Sequence, residues 1–357
     1  MARRPKIVVV FGPRSLVRHW SSAAADLLDS FAERAEVHLG PDLTPDERES
    51  QVDAALGGAE GLLLCGWGSQ GVGFLSAERL AKAPRLRYIG STCHYQQARF
   101  CDVDAALSRG IAMSETAPVM SPWVAEYELA LGMAALRNLP QEHQIVGANG
   151  WVGWEDFPEQ PETPDRLQGH RVGLASFGEI HRHLARMLAP FDTDWEAFDP
   201  YVPAKRIEAA GGRKATDLVA MAARSEVFFI AIPPTPETIE IINRDVIYAL
   251  PREAVFVLVS RMAVVEQEPL LERLTAGELR AAIDVYSPEP PPPDSPLRTL
   301  PNVVHTPHRA GNTNGAHRGV FLGQCQDARR YFEGEPLQYP LRPELVAIFA
   351  ESNAGSS

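Results

Sequence analysis

Residues 170–200, HRVGLASFGEIHRHLARMLAPFDTDWEAFDP, decide the fold. The run RVGLA is short and apolar, as a buried strand would be, and the spacing from Glu179 to Leu188 is helical. DWEAF then reads as a second strand, ending in acid at Asp199. Strand, turn, helix and strand within about thirty residues make a βαβ unit, the building block of a parallel sheet covered on both faces. A dinucleotide site sets a glycine-rich turn between such a strand and helix, so that the helix N-terminus faces the pyrophosphate. Here only the middle glycine, Gly178, is kept; Ser176 stands for the first and His181 for the third. A frame beginning at Gly173 would put its glycine inside the strand and is rejected. Asp199 lies about twenty residues beyond Gly178, where a carboxylate accepts hydrogen bonds from the adenine-ribose hydroxyls and repels a 2′-phosphate. That favours NAD over NADP, with an ordinary turn after a strand as the competing reading of Asp199-Pro200.

The same alternation runs outward in both directions. Downstream, SEVFFIAIPP, AVFVLVS, LRAAIDV and NVVHT read as strands, with helical patterns at 217–223, 243–250 and 267–276. Upstream, KIVVV, EVHLG, EGLLLC, RLRYIG and GIAMSE read as strands and 23–35, 45–56, 76–83 and 102–108 as helices. Thr44-Pro45 and Ser76 supply helix-start signals. Residues 121–139 form the longest helical pattern, with Pro140 as its stop. The chain therefore reads as α/β with two domains, 1–119 plus 314–357 and 120–313, a last helix at about 314–332 returning to the first. Residues 149–169, rich in Trp, Pro and acid, read as an irregular arm whose tryptophans pack on their own domain or on a partner subunit. Pro290–Pro293 reads as a stiff surface loop, and the terminal ESNAGSS as frayed.

A chain of 357 residues can bury two cores. The net charge of -12 argues against sequence-independent nucleic-acid binding, which needs a basic surface. It leaves anionic substrates open, because a few local arginines can outweigh a global sign. Cys65, Cys93, Cys101 and Cys325 are scattered, with no CxxC and no metal-ligand pairing, which fits reduced thiols in a cytoplasmic protein and no metal site. The apolar run in MARRPKIVVVFG is too short for a signal-peptide core, and no stretch is suited to span a membrane.

Residues 259–308 hold the candidate chemistry: Arg261 in LVSRMAVVE, Glu289 in AAIDVYSPEP and His308 in VVHTPHRAG. Arginine grips a carboxylate with two parallel hydrogen bonds and keeps its charge. Histidine suits proton transfer near neutral pH, and a nearby carboxylate would orient it. Each of the three follows a predicted strand, where open α/β sheets place ligands. His94, His181, His183 and His305 have no comparable company.

With these pieces in order, the chain resembles the D-isomer-specific 2-hydroxyacid dehydrogenases, most clearly over residues 85–327. The matching pieces are DVDAALSRGI, VAEYELALGMAALRN, AFDPYV, ARSEVFFIAIPPTPETIEIIN, LVSRMAVVEQEPLLERLTAGELRAAIDVYSPEP and DSPLRTLPNVVHTPHRAG. The resemblance implies a flavodoxin-like substrate domain with an inserted Rossmann NAD-binding domain, usually as a homodimer joined through the nucleotide domains and the long helix. It puts the catalytic arginine on Arg261, the carboxylate on Glu289 and the acid/base histidine on His308. It puts NAD contacts on Gly178, Glu179, Ile180, Asp199, Pro233, Thr238, Val259, Ser260 and Asp284, the last at the nicotinamide amide. The family binds the substrate carboxylate with backbone amides of a small loop; here that stretch is STCHYQQAR, 91–99, without glycine, and Tyr95, Gln96 and Gln97 join Arg261 as candidate substrate contacts. Met262 follows the arginine where a small residue is usual. The expected activity is NAD-dependent interconversion of a 2-oxo acid and a D-2-hydroxy acid. The alternative is a catalytically impaired member that senses NAD(H) or acts through a protein partner.

Overall fold

The computed structural model describes residues 3–151 and 165–354. It divides into two compact units, Met1–Met120 with Asn312–Ser357, and Ser121–Gly311.

In the first unit five parallel strands, β1 (Lys6–Phe11), β2 (Glu33–His38), β3 (Gly61–Cys65), β4 (Tyr88–Ser91) and β5 (Ala112–Glu115), lie in the order β2-β1-β3-β4-β5. That is the flavodoxin-like order, with its reversal between β1 and β3. The strand period of two sends successive residues of β1 to opposite cores. Ile7, Val9 and Phe11 meet Leu63, Tyr88 and, from the helix Asn314–Glu333, Phe321 and Cys325. Val8 and Val10 meet Leu62, Leu64, Val52 and Leu80 on the other face. The helix Pro45–Leu56 starts where its sequence says it should: the Thr44 hydroxyl accepts from Glu47 N–H while the Glu47 carboxylate accepts from Thr44 N–H. The first helical pattern is shorter than expected, ending at Phe31, because β2 already begins at Glu33.

The second unit carries seven parallel strands: β6 (Arg171–Ala175), β7 (Asp194–Phe198), β8 (Arg213–Ala215), β9 (Val227–Ile230), β10 (Val255–Leu258), β11 (Arg280–Ile283) and β12 (Val303–His305). Their order is β12-β11-β10-β9-β6-β7-β8, the doubly wound arrangement with its reversal between β6 and β9. β9, β10 and β11 are buried at every position, which is why they read as unbroken apolar runs. Gly173 does lie inside β6, where a Cβ would strike the Ser225 hydroxyl.

Three expectations are corrected. The long helix runs Ser121–Leu136 and breaks at Asn138, which is left-handed at φ 49°; Pro140 then sits in the first turn of a second helix, Leu139–Gly147. A proline there removes no hydrogen bond, because first-turn N–H groups have no partner inside the helix. β8 was not expected, since RKA carries no apolar signal. Of the terminal ESNAGSS, the first four residues end a helix, Pro343–Ala354, and 355–357 lie outside the described residues. Most of the Trp-rich arm, 152–164, lies outside the described residues. Among the described residues no helix is long and apolar enough to cross a membrane.

Candidate active site

The second unit brings Arg261, Glu289 and His308 together. Arg261 follows β10 and Ser260, and its Nη1 donates to the Ser260 carbonyl at 2.7 Å while standing 3.5 Å from His308 Nε2. On the other side of the imidazole, Nδ1 lies 2.9 and 3.0 Å from the two Glu289 carboxylate oxygens. A carboxylate only accepts, so Nδ1 carries the proton of that bond and Nε2 is the nitrogen turned toward the arginine. Burial pulls the Arg261 pKa below its ordinary value, against the opposing charges of Glu289 and Asp284. Glu289 and His308 remain partly open to solvent.

His308 is left-handed, at φ 53°, a conformation a non-glycine residue adopts only when its surroundings impose it. Asp284, at the end of β11 and fully buried, does so. Its Oδ1 accepts from the Thr306 hydroxyl at 2.6 Å and Arg309 N–H at 2.8 Å, and its Oδ2 from Ala310 N–H at 2.9 Å. Its carbonyl accepts from His308 N–H. The Asp284 carboxylate thus shapes the loop that presents the histidine.

At the reversal point between β6 and β9, the turn Ser176-Phe177-Gly178 opens the helix Glu179–Leu188. Gly178 is its N-cap, at an ordinary φ of -75°, with nothing within 4 Å of where a Cβ would stand and no side-chain cap on the first-turn N–H groups. Neither packing nor backbone demands this glycine, and uncapped N–H groups at a helix start suit an anion. Asp199 accepts from Phe177 N–H at 2.9 Å through one oxygen and from Tyr201 N–H at 3.0 Å through the other, with lone pairs left over. Pro233 is exposed; its carbonyl accepts from the Thr238 hydroxyl at 2.6 Å. Val259 is buried, and the Ser260 hydroxyl oxygen beside it is buried without a hydrogen-bond partner among the described residues. The exposed Glu179, the half-buried Ile180, a bare glycine and an orphan hydroxyl at strand C-termini fit a dinucleotide.

In the first unit, loop 91–97 is tied to Glu115, which sequence reasoning missed. This buried carboxylate accepts from Cys93 N–H at 3.0 Å, Tyr95 N–H at 3.1 Å, Ala117 N–H at 2.8 Å and Gln97 Nε2 at 2.6 Å. Burial raises its pKa against the pull of those bonds. The Gln97 side chain is fully buried on Glu115 and Ser91. The Tyr95 ring stacks on Phe349, and its hydroxyl accepts from Arg342 Nε. Gln96 is half-buried. His181, which stands for the third glycine, is fully buried between Ser176 and Glu128.

A family model described as "D-isomer specific 2-hydroxyacid dehydrogenase, NAD binding domain" matches residues 129–310. The chain belongs to the D-isomer-specific 2-hydroxyacid dehydrogenase family. Its second unit is thus an NAD-binding domain of that family, with the Rossmann strand order. The chain is 27% identical over 311 residues to a D-3-phosphoglycerate dehydrogenase of Methanocaldococcus jannaschii, covering 87% of this chain and 56% of that protein. It is 28% identical over 333 residues to glyoxylate/hydroxypyruvate reductase B of Serratia proteamaculans, covering 92% and 97%. A crystal structure of a phosphoglycerate oxidoreductase from Rhizobium etli superposes with a TM-score of 0.77 at 27% identity, covering 95% of this chain and 98% of that one. The chain spans only about half the length of the phosphoglycerate dehydrogenases it matches.

Proposed function

We propose that this protein interconverts a 2-oxo acid and a D-2-hydroxy acid with NAD(H). The observation that carries the reading is the line Glu289–His308–Arg261: a carboxylate on one imidazole nitrogen and a guanidinium 3.5 Å from the other. Bound NADH supplies hydride to C2 of the substrate. Arg261 grips the carboxylate and polarises the carbonyl, and its charge then stabilises the forming alkoxide. His308 donates a proton from Nε2 to that oxygen, and Glu289, accepting from Nδ1–H, stabilises the imidazolium beforehand. Oxidation runs the same steps backwards. Loss of that set would be expected of a sensor with no reaction to run, so the catalytic reading is preferred.

The first-turn N–H groups of Gly178, Glu179 and Ile180 are assigned to the pyrophosphate and Asp199 to the adenine ribose, with Ser260, Val259, Pro233, Thr238 and Asp284 along the nicotinamide half. Of loop 91–99, Tyr95, Gln96 and Gln97 are assigned to the substrate. Asp199, fixed by two backbone bonds, makes the protein prefer NADH to NADPH. We also place the protein in the cytoplasm, on the strength of four free, buried cysteines, and read it as a homodimer. Support for the dimer comes from exposed Met133, Leu139, Ile145 and Val146 on two successive helices.

The test is NADH oxidation with a panel that includes glyoxylate, hydroxypyruvate and pyruvate. His308→Gln should lower kcat by about 10²–10⁴-fold with NADH affinity unchanged. Arg261→Ala should abolish turnover. Near-wild-type turnover in either variant refutes the assignment, and saturable NADH binding without oxidation by any acid would favour the sensor.

A further inference from the structure

We infer that the buried pair His181–Glu128 is a positioning device for the cofactor turn, doing by side-chain hydrogen bonds what the first and third glycines of a regular fingerprint do by their small size. The inference rests on the reading that this turn receives the NAD pyrophosphate.

Ser176 stands at φ 100°, a region that glycine enters freely and serine does not. A serine stays there only under restraint from outside. Ser176 N–H donates to the Phe198 carbonyl at 2.9 Å, and two further bonds hold the peptide link that follows. His181 Nδ1 donates to the Ser176 carbonyl at 2.9 Å, and on the other side of the same peptide link Phe177 N–H donates to Asp199 at 2.9 Å. The turn is held at both ends of one peptide unit, so the direction of the following N–H groups, at the start of the helix Glu179–Leu188, is set.

The imidazole is itself held. It is fully buried, and its Nε2 lies 3.2 Å from Glu128 Oε1, on the helix Ser121–Leu136. A carbonyl only accepts, so Nδ1 must carry a proton, and Nε2 faces the Glu128 carboxyl group. The other Glu128 oxygen is buried with no hydrogen-bond partner among the described residues. His181 is thus the one polar partner the described residues give this carboxylate, and without the imidazole a buried carboxylate would stand alone. A regular fingerprint places no side chain where His181 is, because there helix and strand pack closely. Serine at the first position and histidine at the third are therefore one paired change, the histidine securing the conformation that the serine resists.

Three variants test this: Glu128→Leu/His181→Met, which fills the core with apolar atoms; the same with Ser176→Gly added; and Glu128→Gln, whose amide can donate to Nε2 and leave Nδ1–H on the Ser176 carbonyl. NADH affinity is read by fluorescence titration, and backbone amide exchange of 176–180 is followed in the cofactor-free protein, with thermal unfolding as the check on folding. The double variant should lose about tenfold or more in NADH affinity and exchange faster at 176–180, while β9 and β10 keep wild-type protection. Adding Ser176→Gly should recover both readouts to within about threefold, since glycine holds φ 100° unaided. Glu128→Gln should stay near wild type. A pair that only fills the core would lower thermal stability with no recovery from Ser176→Gly. Wild-type affinity and exchange in the folded double variant, failure of the glycine to rescue it, or a large loss in Glu128→Gln each overturns the inference. If the wild-type protein bound no NADH, the cofactor reading would fall, and the exchange data would still decide whether the pair holds the turn.

Discussion

At the residue scale, the site depends on carboxylates that hold its loops in place. Asp284 gathers a hydroxyl and two backbone N–H groups and so holds His308 at φ 53°. Asp284→Ala strands those donors in a buried loop, at about 1–3 kcal/mol for each. The expected result is a stability loss of about 3 kcal/mol or more in urea unfolding, together with a fall in kcat, because the imidazole loses its place between Glu289 and Arg261. Asp284→Asn keeps the shape and should do less harm. Wild-type kcat in Asp284→Ala would mean that the loop places His308 without it. Asp199 allows a sharper test of charge: Asp199→Ala should narrow the ratio of NADH to NADPH affinity, and an unchanged ratio would remove Asp199 from cofactor choice.

At the scale of elements, the parallel sheets were legible because strands buried on both faces are apolar without interruption, and caps such as Thr44 and Ser76 are chemical signals local to a few residues. The Glu289, His308 and Arg261 set was legible from residue type and position after strands, helped by the family resemblance. Glu115, and the internal bonds of Asp284 and Gln97, were not. A polar side chain turned inward onto a loop is spelled the same as one turned toward a ligand, and only the fold decides which donors it meets. The break at Asn138 was illegible for a related reason, since Pro140 serves equally as the end of one helix or the first turn of the next. Close packing of that first helix makes a prediction of its own. A Cβ at Gly132 would stand 2.9 Å from the Phe229 ring on β9, so Gly132→Leu should destabilise the second unit by about 1–3 kcal/mol, seen as a lower midpoint in thermal unfolding. An unchanged midpoint would show that the helix can shift outward freely.

At the scale of the whole molecule, stability should fall on the acid side for a traceable reason. Burial first, then the charges of His317 and Arg18, pull the His19 pKa from 6.5 down to about 4. The folded state holds this imidazole neutral while the unfolded chain takes up a proton, so its contribution is intact above pH 6.5 and is lost as pH falls from 6.5 toward 4. The full loss is about 3 kcal/mol. Buried Glu115 and Asp327, whose pKa values are raised, act in the opposite sense, so the comparison is wild type against His19→Phe at each pH. Wild type should lose stability relative to His19→Phe steadily from pH 7 to about pH 4, and a constant difference would mean that His19 is not neutral in the fold. The central claim concerns the proton and the oxyanion, and single-turnover oxidation of prebound NADH by the 2-oxo acid panel reaches it most directly. Wild type should convert at least one acid to its D-2-hydroxy product in one fast phase, with His308→Gln slower by about 10²–10⁴-fold at equal NADH occupancy. The same fast phase in His308→Gln would contradict the account.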